Sequence, residues 1–225
     1  MSRIVVFGGS GFIGSRICLL LASQGHEVLC LGRSSVDFHD SKTWKNLIHE
    51  GDYVIDLVSL YLSKNSQQIT EEVHLFALDE LARECLSKKI KNFLYLSSGG
   101  SVYGRGEKAF SESYEAKPVS PYGLLKLQSE RLLITYQERF DLPLSIARPS
   151  NIYGETQSKT SSAGVITNFY NRIASNIALD IYGDLEIRKD YLHVDDLVWG
   201  LSSLCMKNKM GIYNFGFGET HTLLE

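Results

Sequence analysis

A chain of 225 residues, 44% hydrophobic and 22% charged, can bury the core of one large domain or a domain and a half. Its formal net charge of −3 gives nucleic acid no electrostatic reason to bind, and no apolar run is long enough to cross a membrane. The start carries no signal-peptide pattern, and Cys18, Cys30, Cys85 and Cys205, widely spaced in apolar segments, read as buried free thiols of a reducing, cytoplasmic setting, with no metal site and no disulfide frame.

Arg3 to Phe7 is a short apolar run of the kind a buried parallel strand needs. It enters Gly8-Gly9-Ser10-Gly11-Phe12-Ile13-Gly14 and then an amphipathic segment, Ser15 to Gln24. Strand, glycine turn and helix form the unit that sets a pyrophosphate on a helix N-terminus. Gly8 allows the tight turn, Gly11 the approach of the anion, and Gly14 close helix packing. A glycine-rich turn without a ligand is the alternative.

Val28 to Leu31 reads as the second strand, and Gly32-Arg33 at its end replaces the acidic residue that would hold a ribose 2′-hydroxyl. Arg33 suits a 2′-phosphate, or is a solvated arginine, so the cofactor is NAD or NADP with the balance tilted to NADP. Val36 to Phe38 predicts a short third strand, making Asp37 a candidate for the adenine edge or a plain surface aspartate. Ser41 to His49 predicts a short helix capped by Ser41. Asp52 to Ser59 is an apolar strand whose end, Leu57 and Val58, should face the cofactor. Glu71 to Ser87 carries a helical apolar stripe, and Asn92 to Ser97 is a strand opening into Ser98-Gly99-Gly100-Ser101.

Ser120-Pro121-Tyr122-Gly123-Leu124-Leu125-Lys126 opens a helix that runs to about Phe140. Ser120 suits the N-cap and Pro121 the first helical position, so Tyr122 falls in the first turn. Lys126 stands four residues on, on the same face. An ammonium beside a phenol lowers the phenol pKa from about 10, and such a tyrosine can take a proton from an alcohol. A surface pair is the alternative. Leu144 to Ala147 is the next strand, leading through Arg148 and Pro149 to Asn151, which either bonds a ligand or closes an Asx-turn. Val165 to Asn176 reads as a helix, Asp180 to Asp184 as the end of a short strand, and Arg188-Lys189 as paired cations for a diphosphate or a solvated basic turn. His193, with no second ligand-type neighbour at metal spacing, is structural; an apolar helix follows it, and Ile212 to Phe215 is a late strand.

Taken together, these segments resemble the extended short-chain dehydrogenase/reductase superfamily, in its nucleotide-sugar epimerase/dehydratase branch. The matching motifs are the loop from Gly8 to Gly14, Tyr122 with Lys126, the run Arg148 to Gly154, the run Gly183 to Asp196, and Asn214 to Glu219. The resemblance implies a doubly wound α/β fold, with a Rossmann-type parallel sheet over residues 1–160 and a partial C-terminal substrate lobe over 161–225, interleaved with the last sheet elements. It implies cofactor contacts from the glycine loop, Arg33, Asp37, Leu57, Val58, Tyr122, Lys126 and Pro149, and substrate contacts from Asn151, Arg188 and Lys189. The catalytic serine or threonine falls on Gly99, so Ser98, slightly favoured, or Ser101 must substitute. Gly100-Ser101 stands where 4,6-dehydratases carry Asp-Glu, and Lys189 where an arginine is usual. Branch members continue well past the Gly-x-Gly-Glu turn, so a shortened C-terminus is expected. The implied function is a nucleotide-sugar 4-epimerase. The alternatives are an NADPH-dependent 4-keto reductase and a catalytically inactive dinucleotide binder. A nucleotide sugar is the expected partner, with a homodimer formed through residues 71–87 and 121–140.

Overall fold

The computed structural model describes residues 1–60, 70–106, 109–155, 164–179, 181 and 185–225. Strand β1, Arg3–Phe7, is followed by helix α1, Phe12–Ser23, and strand β2, Glu27–Leu31. Then come β3, Tyr53–Asp56; α2, Glu71–Ser87; β4, Asn92–Leu96; and a single turn, α3, Gly99–Val102. Helix α4, Pro121–Phe140, leads to β5, Leu144–Pro149, and β6, Asn151–Tyr153. The remainder is α5, Val165–Ala174; β7, Lys189–His193; α6, Val194–Met206; β8, Gly211–Phe215; and β9, Thr220–His221.

Among the described residues, six strands form one sheet in the order β2-β1-β3-β4-β5-β8, all parallel. The chain steps from β1 outward to β2, then back across to β3, so the order reverses beside β1 and opens a crevice at the strand C-termini. A second, small sheet runs β6-β7-β9, with β7 and β9 antiparallel. The doubly wound fold is therefore present, with β8 placing late sequence at the edge of the main sheet.

Helices on both faces explain why the strands read as unbroken apolar runs. Along β1, Val5 and Phe7 enter the layer under α2 and α4, while Ile4 and Val6 enter the layer under α1 and α6. Each fully buried side chain of this size is worth roughly 1.5–3 kcal/mol, so these two layers fix the sheet against which the site is built.

The link after β2 departs from expectation. Val36 to Phe38 is not a strand: Ser35 and Val36 donate backbone N–H to Gly32 O, and the chain folds back before it can pair with β2. Residues 41–49 form two short 3-10 turns, Ser41–Thr43 and Lys45–Leu47, and Asp40 rather than Ser41 is the N-cap, accepting from Lys42 N. Core anchoring wins over helix propensity here. Phe38 and Trp44 are buried and tied together by the indole N–H to Phe38 O at 3.0 Å. Residues 180 and 182–184, read as the end of a strand, lie outside the described residues, as does Gly183 of the matched motif.

The cysteine expectation needs two corrections: Cys30 is exposed on β2, and Cys18 and Cys30 are not free. Cys18 and Cys30 are paired as a disulfide, because α1 turns back over β2 and brings positions 12 apart to a Cα separation of 6.4 Å. Cys85 and Cys205 remain free and buried, and burial pushes the Cys205 thiol up to about 12. No helix among the described residues is long and apolar enough to cross a membrane.

Candidate active site

The crevice begins at the glycine turn. Gly8 has φ +77, in the left-handed region that favours glycine, and its carbonyl accepts from Gly11 N at 2.9 Å. A Cβ on Gly14 would stand 2.1 Å from Gly8 O, so only glycine lets α1 start this close to β1. Gly11 caps α1 with no side-chain bond, leaving its first-turn N–H groups, at Phe12, Ile13 and Gly14, to face an anion. Ser10 rests against Gly32 and Gly9 against Cys30, which seats the loop on the end of β2. These features fit the pyrophosphate of a dinucleotide. Gly14→Ala should abolish measurable dinucleotide binding in a fluorescence titration and lower stability by about 1–3 kcal/mol, the usual effect of an extra carbon in a packed site.

Leu57 and Val58 follow β3 beside this loop, Leu57 N donating to Phe7 O and Leu57 lying against Gly8. Arg33 and Asp37 are both exposed beyond β2. The Asp37 carboxylate accepts from His39 N at 2.9 Å and lies near the His39 ring, which in turn sits 3.2 Å from the His74 ring. Burial, with Lys126 and His39 nearby, brings His74 down to about 3, so it is neutral.

Helix α4 supplies the tyrosine and lysine. Ser120 accepts from Gly123 N at 3.1 Å and Pro121 occupies the first turn, as the sequence predicts. Tyr122 is half-buried at this end, with Ser59 and Ser98 beside its phenol. Ser98 rather than Ser101 is the serine next to Tyr122, and its hydroxyl donates to Ser101 Oγ at 3.2 Å. The glycine at 99 has a steric reason, since a Cβ there would be 2.9 Å from Arg148 O. Lys126 is buried and donates to Leu96 O at 2.8 Å, Tyr95 Oη at 3.2 Å and Val58 O at 3.5 Å.

The expected electrostatics are corrected in direction. Burial pushes the Tyr122 phenol above its ordinary range, and the Ser59 and Ser98 hydroxyls oppose that rise. Lys126 is itself brought down to about 8 by burial, with Asp56 and Glu130 opposing.

The remaining candidates divide. Pro149 is buried at the end of β5. Asn151 donates its amide to Asp190 O at 2.8 Å, tying β6 to β7, and lies close to Gly100. Arg188 is drawn the other way, bonded to Thr220 and bridged to Glu225 at 3.0 Å, while Lys189 is exposed. The two cations are neighbours on an extended segment and do not form one clamp. His193 caps α6 through Asp195 N, the structural part expected of it.

Sequence reading passed over three features. Asp190 accepts from Phe217 N and Gly218 N, at 3.0 and 2.7 Å, and so fixes the turn after β8. Arg148 forms a buried pair with Glu130 of α4, at 2.5 Å and 3.0 Å, and donates to Tyr103 Oη, which donates to Asn214. Asp56, at the end of β3, is fully buried. A charge inside the apolar run Tyr53-Val54-Ile55-Asp56 was the available signal for the last.

The model of the NAD dependent epimerase/dehydratase family matches residues 4–216. Over 134 residues the chain is 37% identical to dTDP-4-dehydro-6-deoxyglucose reductase of Escherichia coli, a stretch that covers 59% of this chain and 42% of that protein. UDP-glucose 4-epimerase of Thermus thermophilus, solved in complex with NAD, superposes with a TM-score of 0.85 at 26% identity, covering 98% of this chain and 79% of that one. UDP-glucose 4-epimerase of Thermotoga maritima, solved with UDP-glucose, does so with a TM-score of 0.85 at 27% identity, covering 99% and 79%.

Proposed function

The chain belongs to the NAD dependent epimerase/dehydratase family, and on that premise we propose that it is a nucleotide-sugar 4-epimerase acting by transient oxidation at sugar C4. One observation carries this reading: a half-buried Tyr122 with Ser98 at its phenol and Lys126 one turn away, on a helix that starts at the same strand ends as the close-packed glycine turn of residues 8–14. The cradle of Gly8 to Gly14, with Leu57, Val58 and Pro149, would hold NAD or NADP, which supplies reversible hydride exchange when bound. Tyr122 takes the sugar 4-hydroxyl proton and returns it to the 4-keto oxygen. Ser98 steadies that oxygen as its charge changes. Lys126, as an ammonium, adds positive charge where the oxygen becomes negative. Asn151 and Lys189 would contact the substrate, and α2 and α4, with Phe76 and Leu124 exposed, are our proposed homodimer face.

A second reading, an NADPH-dependent 4-keto reductase, rests on Arg33 standing exposed at the end of β2 and on the likeness to the E. coli reductase. The test is to release and identify any copurified dinucleotide, then incubate the protein with UDP- and dTDP-hexoses and their 4-keto forms. Appearance of 4-epimers without added cofactor supports the epimerase. Net NADPH oxidation supports the reductase. Dinucleotide binding with no conversion of any sugar nucleotide overturns both.

A further inference from the structure

Asp56 is fully buried at the end of β3, and one of its carboxylate oxygens, Oδ2, has no hydrogen-bond partner among the described residues. Oδ1 accepts from Val58 N at 2.9 Å, an Asx-turn that carries the chain off the strand. The carbonyl of the same residue, Val58, lies 3.5 Å from the Lys126 ammonium. The register partner of Asp56 on β4 is Tyr95, whose hydroxyl also meets that ammonium. Asp56 thus reaches Lys126 through Val58, one of the three groups that bond its ammonium.

We propose that Asp56 is a positioning residue for Lys126: it sets Val58 so that the carbonyl meets the ammonium, and its buried negative charge keeps that ammonium protonated. This rests on the reading that Lys126 serves the reaction. The groups facing the pair are Tyr95 from β4, His74 and Cys85 from α2, and Tyr122 and Glu130 from α4. His74 is neutral, and burial pushes Tyr95 and Cys85 up, so none of these adds charge near neutrality. Glu130 is the other carboxylate, but Arg148 grips both its oxygens and Ser97 donates to one, so its charge is already matched. Asp56 has no such partner and its charge is felt by Lys126. Burial raises Asp56 to about 6, with Val58 N–H and Lys126 opposing, and Lys126 stands at about 8. Between those values the carboxylate is ionised and the amine protonated, which is the window in which the pair operates.

Asp56→Asn keeps an acceptor for Val58 N–H and removes only the charge, whereas Asp56→Ala removes both. Lys126 is followed by ¹³C NMR of its labelled Cε across pH, alongside kcat. In Asp56→Asn the Lys126 midpoint should fall by about one pH unit, roughly a tenfold change in its acid dissociation, and the alkaline limb of kcat should move with it. A Lys126 midpoint unchanged from the wild type overturns the proposal. Should Asp56→Asn fail to fold, the wild type decides: the Lys126 resonance must show a second, smaller inflection near the Asp56 titration, and its absence overturns the proposal equally. A shifted midpoint in a protein that converts no sugar nucleotide upholds the proposal and defeats the functional reading instead.

Discussion

Tyr122→Phe should lower turnover by about 10²–10⁴-fold while dinucleotide affinity stays at the wild-type value. The substitution keeps the ring, its packing in the first turn of α4 and the cap at Ser120, and removes one hydroxyl. The proposed dinucleotide cradle stands on other elements, β1, α1, the residues after β3 and Pro149 of β5, so the loss falls on proton transfer. Single-turnover conversion of a sugar nucleotide, read beside a fluorescence titration of the dinucleotide, separates the two. Retention of more than a tenth of the turnover would assign the proton to another group. Ser98→Ala should be milder, since it removes a hydrogen bond to the phenol and leaves the proton donor in place.

Glu130→Gln should destabilise the fold by about 3–5 kcal/mol, read as a lower urea midpoint with an unchanged m value. Glu130 and Arg148 are both buried, and the pair joins α4, the helix that carries Tyr122, to β5. Removing one charge strands the other in a dry interior, where the desolvation already incurred is no longer offset. The neighbours cannot compensate: Ser97 and Tyr103 are neutral donors or acceptors, and Asn214 is committed to Tyr103 and Phe110. Against a total stability of about 5–15 kcal/mol this is a large share. Replacing both residues with methionine should recover much of the loss, because an apolar pair leaves no charge unmatched.

Much of the architecture is readable from composition and order. An apolar strand, a glycine turn and an amphipathic helix specify one local answer, since close packing at Gly14 leaves no room for any other residue. The cap at Ser120 and the turn spacing of Tyr122 and Lys126 are equally local, and both hold in the structure. The link from Gly32 to His49 failed as a reading because two aromatic anchors, Phe38 and Trp44, override its strand and helix propensities.

The sequence alone thus determined the parallel sheet, the close-packed glycine turn and the helix that presents the tyrosine, because each follows from contacts between residues near one another in the chain. Only the tertiary structure decided the partners of these charges and cysteines: Asp56 with Val58, Glu130 with Arg148, Asp190 with the turn after β8, and Cys18 with Cys30. It also reversed the direction of the Tyr122 shift. The reason is desolvation: how strongly a group is pushed depends on what surrounds it in three dimensions, and spacing along the chain carries no record of that.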